Sequence, residues 1–206
     1  MSLKLIQKSV GPWPMNAYVL ICEETKTSAI VDPGAEASAI LSLIEGTRVS
    51  KILLTHAHKE HVGALAEIKK ATQAPIFLHP DEKEMFNVRF DVSLKGGDSL
   101  KIGNHKVHTY HTPGHTPGMI CFDLGDNRII VGDTLFVNGP GRTNTPKDFA
   151  TTMRTMQTVV FKWPDETAFF PGHGTSGKIG DERPAFEAFV KAGWPKDLCG
   201  DVAWKS

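Results

Sequence analysis

The chain has 206 residues, 40% of them apolar, and its 23 basic and 23 acidic side chains leave it formally uncharged at neutral pH. That length suffices for one domain over residues 1–206 with a substantial core, and the charge balance removes the electrostatic footprint of a nucleic-acid binder. The three cysteines, Cys22, Cys121 and Cys199, are odd in number and widely spaced, which suits unpaired structural thiols in a reducing compartment.

No apolar run has the length of a signal peptide or a membrane span, so a cytoplasmic protein with no membrane partner is expected. Residues 3–10 and 17–22 read as strands, and the connecting Gly-Pro-Trp-Pro stretch is turn-rich. Trp13 in that stretch either overhangs a site or packs on the core. A strand over 27–31 ends at Asp32-Pro33-Gly34, after which helical spacing covers 35–45. Asp32 thus stands at a strand's carboxyl end, where it can hold the far nitrogen of a ligand histidine or simply form the turn.

Next comes the most informative stretch. After the apolar run Ile52-Leu53-Leu54, Thr55-His56-Ala57-His58-Lys59-Glu60-His61 puts three imidazoles and a carboxylate into six residues. His56 and His58, two apart on a loop, can chelate one ion, and Glu60 and His61 can face another. Imidazole and carboxylate donors without thiolates suit zinc, iron or manganese in an open catalytic site better than a closed structural one.

Helix over 64–71, strand over 75–78 and a short helix over 81–87 follow, with His79 expected to pack or cap rather than ligate. A hairpin over 99–102 and 106–110 leads to His111-Thr112-Pro113-Gly114-His115-Thr116-Pro117-Gly118, where prolines and glycines stiffen the backbone and His115 is the candidate third ligand of the first ion. His111 is expected to bond within the loop. Strands over 119–124 and 128–131 deliver Asp133, a carboxylate placed to bridge two cations. A helix from Pro146 to Phe161, a strand over 167–170 ending in Pro171-Gly172-His173-Gly174, and a helix over 182–192 close the pattern. Strand, ligand loop and helix recur four times in this reading, which predicts sheets covered by helices with the ligands along one edge.

In this order, T-H-x-H-x-E-H, H-T-P-G-H-T-P-G, G-D-T-L-F and P-G-H-G resemble the metallo-β-lactamase-fold superfamily over about residues 16–190. The resemblance implies a four-layer αββα sandwich, two mixed sheets flanked by helices, with a binuclear site at the sheets' edge. It implies that His56, His58 and His115 hold the first metal, that Glu60, His61 and His173 hold the second, and that Asp133 bridges. Asp32-Pro33-Gly34, Gly141-Arg142 and the Ile179–Arg183 stretch are most similar to short hydroxyacylglutathione hydrolase (glyoxalase II) homologues. Two positions depart from that pattern: Glu60 and Asn144 each stand where the family has Asp. The glutamate reaches one methylene further, so a looser second ion is expected. Few residues follow the last predicted helix, and the helical segment that supplies much of the glutathione site in full-length glyoxalase II is expected to be missing.

The expected chemistry is hydrolysis of a small thioester, ester or lactone by a hydroxide held between two zinc ions roughly 3.5–4 Å apart, with iron or manganese as substitutes. Asp133 and Glu60 are the expected catalytic carboxylates. Arg142 is expected either to position an anionic group of the substrate or to make a buried ion pair, and Trp13 is a candidate substrate contact. The competing expectation is a persulfide dioxygenase with one iron on His56 or His58, His115 and Asp133.

Overall fold

The computed structural model describes residues 2–204, apart from the side chain of Glu84. In chain order the first half contains β1 (Lys4–Val10), β2 (Met15–Cys22), β3 (Thr27–Val31), α1 (Ala37–Ser42), β4 (Arg48–Leu53), α2 (Lys59–Val62), α3 (Leu65–Thr72), β5 (Ile76–Leu78), α4 (Pro80–Phe86) and β6 (Val92–Ser93). The second half contains β7 (Ser99–Ile102), β8 (His105–His111), β9 (Ile120–Asp123), β10 (Arg128–Gly132), β11 (Leu135–Phe136), β12 (Gly139–Pro140), α5 (Pro146–Thr158), a 3-10 turn (Val160–Lys162), β13 (Ala168–Pro171), β14 (Gly177–Lys178) and α6 (Ile179–Ala192).

One sheet runs β1-β2-β3-β4-β5-β6, antiparallel at its start and parallel from β3 onward. The other runs β14-β13-β10-β9-β8-β7, with only β10 and β13 parallel. Both sheets are mixed. The alternation along β2 explains how they stack: Ala17, Val19 and Ile21 pack beneath α1 and α3, while Tyr18, Leu20 and Cys22 point into the space between the sheets. A strand covered on both faces has no polar side to show, so it reads in sequence as an unbroken apolar run. Across the interlayer, Phe122 and Ile130 meet Leu53 and Phe77. On the far side, Cys121, Ile129 and Val131 carry Phe149, Met153 and Met156 of α5 and Phe186 of α6. The layers are therefore helix, sheet, sheet, helix, the metallo-β-lactamase fold. Among the described residues no helix is long and apolar enough to cross a membrane.

Several expectations need correction. The strand-loop-helix unit does not recur four times: the loop carrying His115 joins two antiparallel strands, and the one after Asp133 leads to the small β11-β12 hairpin. Glu60 and His61 lie on the one-turn helix α2 rather than in a loop. The helix expected over 35–45 is only six residues long, because Glu36 takes a left-handed conformation before it. Helix α5 stops at Thr158 and gives way to the 3-10 turn. Helix α6 starts three residues early, since Ile179 is fully buried and carries the first turn into the core. Trp13 does not pack on the core; it is 75% exposed at the tip of the β1-β2 hairpin.

Candidate metal centre

The ligand-bearing segments meet where strands end. Val31 and Leu53 are paired neighbours at the carboxyl ends of the parallel β3 and β4, which sets Asp32 beside Thr55. In the other sheet, Gly132 and Pro171 end the parallel β10 and β13, which sets Asp133 beside the loop that carries His173. Parallel neighbours point their carboxyl ends the same way, so loops far apart in sequence share one edge. The two edges are joined directly, with Ile120 N–H donating to Thr55 O at 2.9 Å.

His56 is fully buried, His58 and His115 partly so. His58 Nδ1 lies 3.1 Å from His56 Nε2 and 3.0 Å from His115 Nε2. Zinc at about 2.0–2.1 Å from each nitrogen of a tetrahedral set holds neighbouring nitrogens about 3.3 Å apart, so this spacing is close to that of a ligand set. Burial, followed by the neighbouring imidazoles, holds His56 well below the ordinary histidine value and His58 at about 4. Both rings are therefore neutral at physiological pH, the form that binds metal.

The second group comprises Glu60, His61 and His173, whose donor atoms lie within 4.8 Å of one another. The extra methylene of Glu60 still leaves its carboxylate facing both histidines. Asp133 stands between the groups: Oδ1 is 3.4 Å from His61 Nε2, while Oδ2 is 3.6 Å from His115 Nε2 and 3.8 Å from His173 Nε2. His61 Nε2 and Asp133 Oδ1 are buried, yet neither has a hydrogen-bond partner among the described residues. A buried nitrogen and carboxylate oxygen left unsatisfied in this way are what a cation between them would serve. Burial lowers the His61 pKa, but Asp133 and then Asp32 outweigh it and lift that ring to about 10. Burial likewise raises Asp133, and His61, His115 and His173 together hold it below the usual carboxylate range. A cation would take the place of the proton on His61.

The far nitrogens fix the tautomers. His61 Nδ1–H donates to Asp32 Oδ2 at 3.1 Å, His115 Nδ1–H to Arg142 O at 2.7 Å and His173 Nδ1–H to Pro14 O at 3.0 Å. Thr55 gives its hydroxyl proton to Asp32 Oδ2 at 2.6 Å, which leaves its oxygen to accept from His56 Nδ1 at 3.0 Å. Each of these four rings thus turns its Nε2 inward, and on His61 that is the nitrogen whose proton a cation would replace. Asp32, buried and also accepting Thr55 N–H at 2.8 Å, locks two histidine rings at once.

Sequence reasoning missed three supports. Glu82, on α4 and fully buried, accepts Ala57 N–H at 2.9 Å and Gly118 N–H at 2.8 Å, joining the His56-His58 loop to the His115 loop. Its only sequence signal is its spacing four residues before the partly buried Phe86, whose ring lies 4.9 Å from that of His58. Tyr18 donates its hydroxyl to Pro171 O at 2.6 Å, and Asn16 donates its amide to Pro171 O and Gly174 O at 3.0 and 2.9 Å, so β2 grips the turn that carries His173. His79 accepts Asp81 N–H at the start of α4 and stacks on His111, which bonds Pro117 O at 2.8 Å. Both histidines stay out of the donor set.

Gly172 is a position where only glycine fits. A Cβ there would strike Asp133 Oδ1 and stand 2.6 Å from His61 Cε1. Gly172→Ala is expected to lower metal affinity roughly ten- to a hundredfold, as loss of ligand orientation does, with circular dichroism unchanged. Metal titration of the two proteins checks this, and equal affinities would show that the turn can yield.

The centre opens into a cleft of about 510 Å³ lined by Glu60, His115, Asp133 and His173 together with Phe136, Pro140, Arg142 and Asp201. Arg142 is not in a buried ion pair as one expectation had it; its guanidinium meets Asp201 Oδ2 at 2.6 Å with both side chains largely exposed. Trp13 lies outside this cleft, over a smaller hollow of about 170 Å³ that it shares with Lys59 and Glu60.

Residues 10–173 match the family model of the metallo-beta-lactamase superfamily. The chain is similar to the hydroxyacylglutathione hydrolase GloC of Haemophilus influenzae, with 32% identity over 186 residues, covering 80% of this chain and 88% of that protein. Its fold is similar to that of the BLEG-1 B3 metallo-beta-lactamase, with TM-score 0.81 and 29% identity over 88% of this chain and 97% of that one. It is also similar to TTHA1623, solved in a di-iron-bound form, with TM-score 0.70 and 29% identity over 86% of this chain and 96% of that one. With the family model spanning most of the sequence and the same sandwich on the page, the chain belongs to the metallo-β-lactamase superfamily, whose members bind divalent metals and are largely hydrolases.

Proposed function

We propose that the protein is a metal-dependent hydrolase of small thioesters or related acyl compounds, with hydroxyacylglutathione-type thioesters, simple esters and lactones as the substrate classes. The observation that carries this reading is the convergence of six donor side chains in two groups of three, with Asp133 as a seventh reaching both. His56, His58 and His115 would hold one ion, Glu60, His61 and His173 a second, and zinc, iron and manganese all suit these donors. Divalent ions bound there supply an activated water and a Lewis acid for the acyl oxygen.

The chain's own part is orientation and exclusion. Asp32, Thr55, Arg142 O and Pro14 O hold the rings so that their Nε2 atoms converge. Asp133 keeps both groups in one unit, and Glu60 completes the second at the edge of the cleft. The cleft would hold the acyl group beside these donors; hydrolysis there forms a carbon–oxygen bond to water, breaks the carbon–sulfur bond and releases the acid and the thiol, whose sulfur takes a proton from the water. No serine or cysteine nucleophile is required; Cys121 is buried against Thr112 and Thr134, and Cys22 is buried in β2. Three free thiols fit a cytoplasmic setting.

Purified protein is expected to carry one to two transition-metal ions per chain and to lose thioester hydrolysis at least a hundredfold on chelation, with recovery on metal return. His58→Ala and His115→Ala should each remove the tighter ion by elemental analysis. No zinc, iron or manganese after metal-supplemented expression, with the variants unchanged, would overturn the reading. One observation favours the single-iron persulfide dioxygenase as second reading: the three-histidine group is complete without Glu60, and Asp133 adjoins it. Sulfur-dependent oxygen uptake by the iron form, without thioester hydrolysis, would select it.

A further inference from the structure

Part of the cleft's lining is supplied by residues 201–203, and the segment that carries them is clamped at both ends. Gly200 N–H donates to Thr143 O at 2.8 Å and Thr143 N–H returns a bond to Gly200 O at 3.2 Å. At the other end, Trp204 N–H donates to Asn138 O at 2.9 Å, and its indole is buried with its ring edge-on to Phe186 and Phe189 at 5.3 Å. Asp201, Val202 and Ala203 therefore form a fixed bridge along the cleft.

The chemistry of that bridge is uneven. Val202 and Ala203 stand with Phe136, Val137 and Pro140 as apolar lining. Among the described residues lining the cleft, Arg142 is the one Lys or Arg, against the carboxylates of Glu60, Asp133 and Asp201. Arg142 is already engaged, with Nη1 at 2.6 Å from Asp201 Oδ2. A substrate carboxylate that reaches Arg142 must share its guanidinium with Asp201 and lie beside that carboxylate, and like charges so placed repel.

We propose that Asp201 is a specificity-determining residue: by pairing with Arg142 it ranks the substrate classes named above, favouring acyl compounds with uncharged, apolar chains over those that carry carboxylates, so that glutathione thioesters are the weaker-binding class. This rests on the acyl-hydrolase reading of the site. An exposed ion pair contributes little to stability, so its removal should leave the fold intact and be read in binding.

The test is calorimetric titration of the metal-loaded protein with S-hexylglutathione, a thioether that carries two carboxylates and one ammonium and is not hydrolysed. Asp201→Asn is expected to tighten binding about fivefold, the upper end of what an exposed pair contributes. The gain should shrink in 0.5 M sodium chloride, added as a screening salt at roughly a 4–5 Å Debye length, and vanish when Arg142→Gln is added. Equal affinities in the wild type and Asp201→Asn, or a gain that survives Arg142→Gln, would overturn the proposal. Hydrolysis of S-phenyl thiobutyrate by the wild type is measured alongside; its absence would count against the hydrolase reading and leaves the binding comparison standing by itself.

Discussion

Asp133→Ala is expected to abolish turnover, by roughly 10²- to 10³-fold or more, while the chain stays folded. The size follows from its position. One carboxylate oxygen faces His61 and the other faces His115 and His173, so a single side chain serves both donor groups. Losing a group aimed at the reacting centre costs at least what one transition-state donor contributes. The fold should tolerate the change because Asp133 Oδ1 satisfies no hydrogen bond among the described residues, so its loss leaves no backbone donor unpaired. Asp133→Asn, which keeps the shape and removes the charge, should behave similarly. Rate measurements with circular dichroism and metal analysis decide it. Near wild-type turnover in either variant would refute the bridging role.

Glu82→Ala is expected to have the largest effect on stability. Its carboxylate is wholly buried and ends two backbone donors, Ala57 N–H and Gly118 N–H, one on each of two ligand loops. Leaving a buried donor unsatisfied costs about 1–3 kcal/mol, so two cost roughly 2–6 kcal/mol. For a chain of this size that is a fall in Tm of roughly 4–24 °C. Burial raises the Glu82 pKa and the N–H donors oppose that rise, so truncation also removes a desolvated carboxyl and keeps the loss near the lower end. The two loops carry His56, His58 and His115, and their loosening should weaken the first ion as well. Glu82→Gln retains an acceptor for one of the two donors and should fall between. Thermal melts of the chelated and metal-loaded proteins separate the two losses. An unchanged Tm together with unchanged metal affinity would show that water replaces the carboxylate.

The sequence alone determined what is local. Strands buried on both faces appear as apolar runs, and the side chains that follow them, Asp32, His56, Asp133 and His173, could be placed at strand ends because such runs stop at turn-forming residues. The same logic placed His115 on its proline- and glycine-stiffened loop. The layer order was legible through the motifs' resemblance, and the structure shows it in the way alternate residues of β2 divide between two cores. Tertiary structure decided which strand ends become neighbours, because the pairings of β3 with β4 and of β10 with β13 are parallel and nonlocal. It decided that Asp32 bonds His61, that Tyr18 and Asn16 hold the turn before His173, and that Glu82 joins two ligand loops, contacts spanning 25 to 158 residues. A polar residue destined for such a contact has no periodic signature, since its partner is chosen by how the sheets pack. Trp13 and Arg142 show the converse: an aromatic in a turn and a cation in a glycine-rich loop each had two readings, and only the distance between their loops and the cleft could separate them.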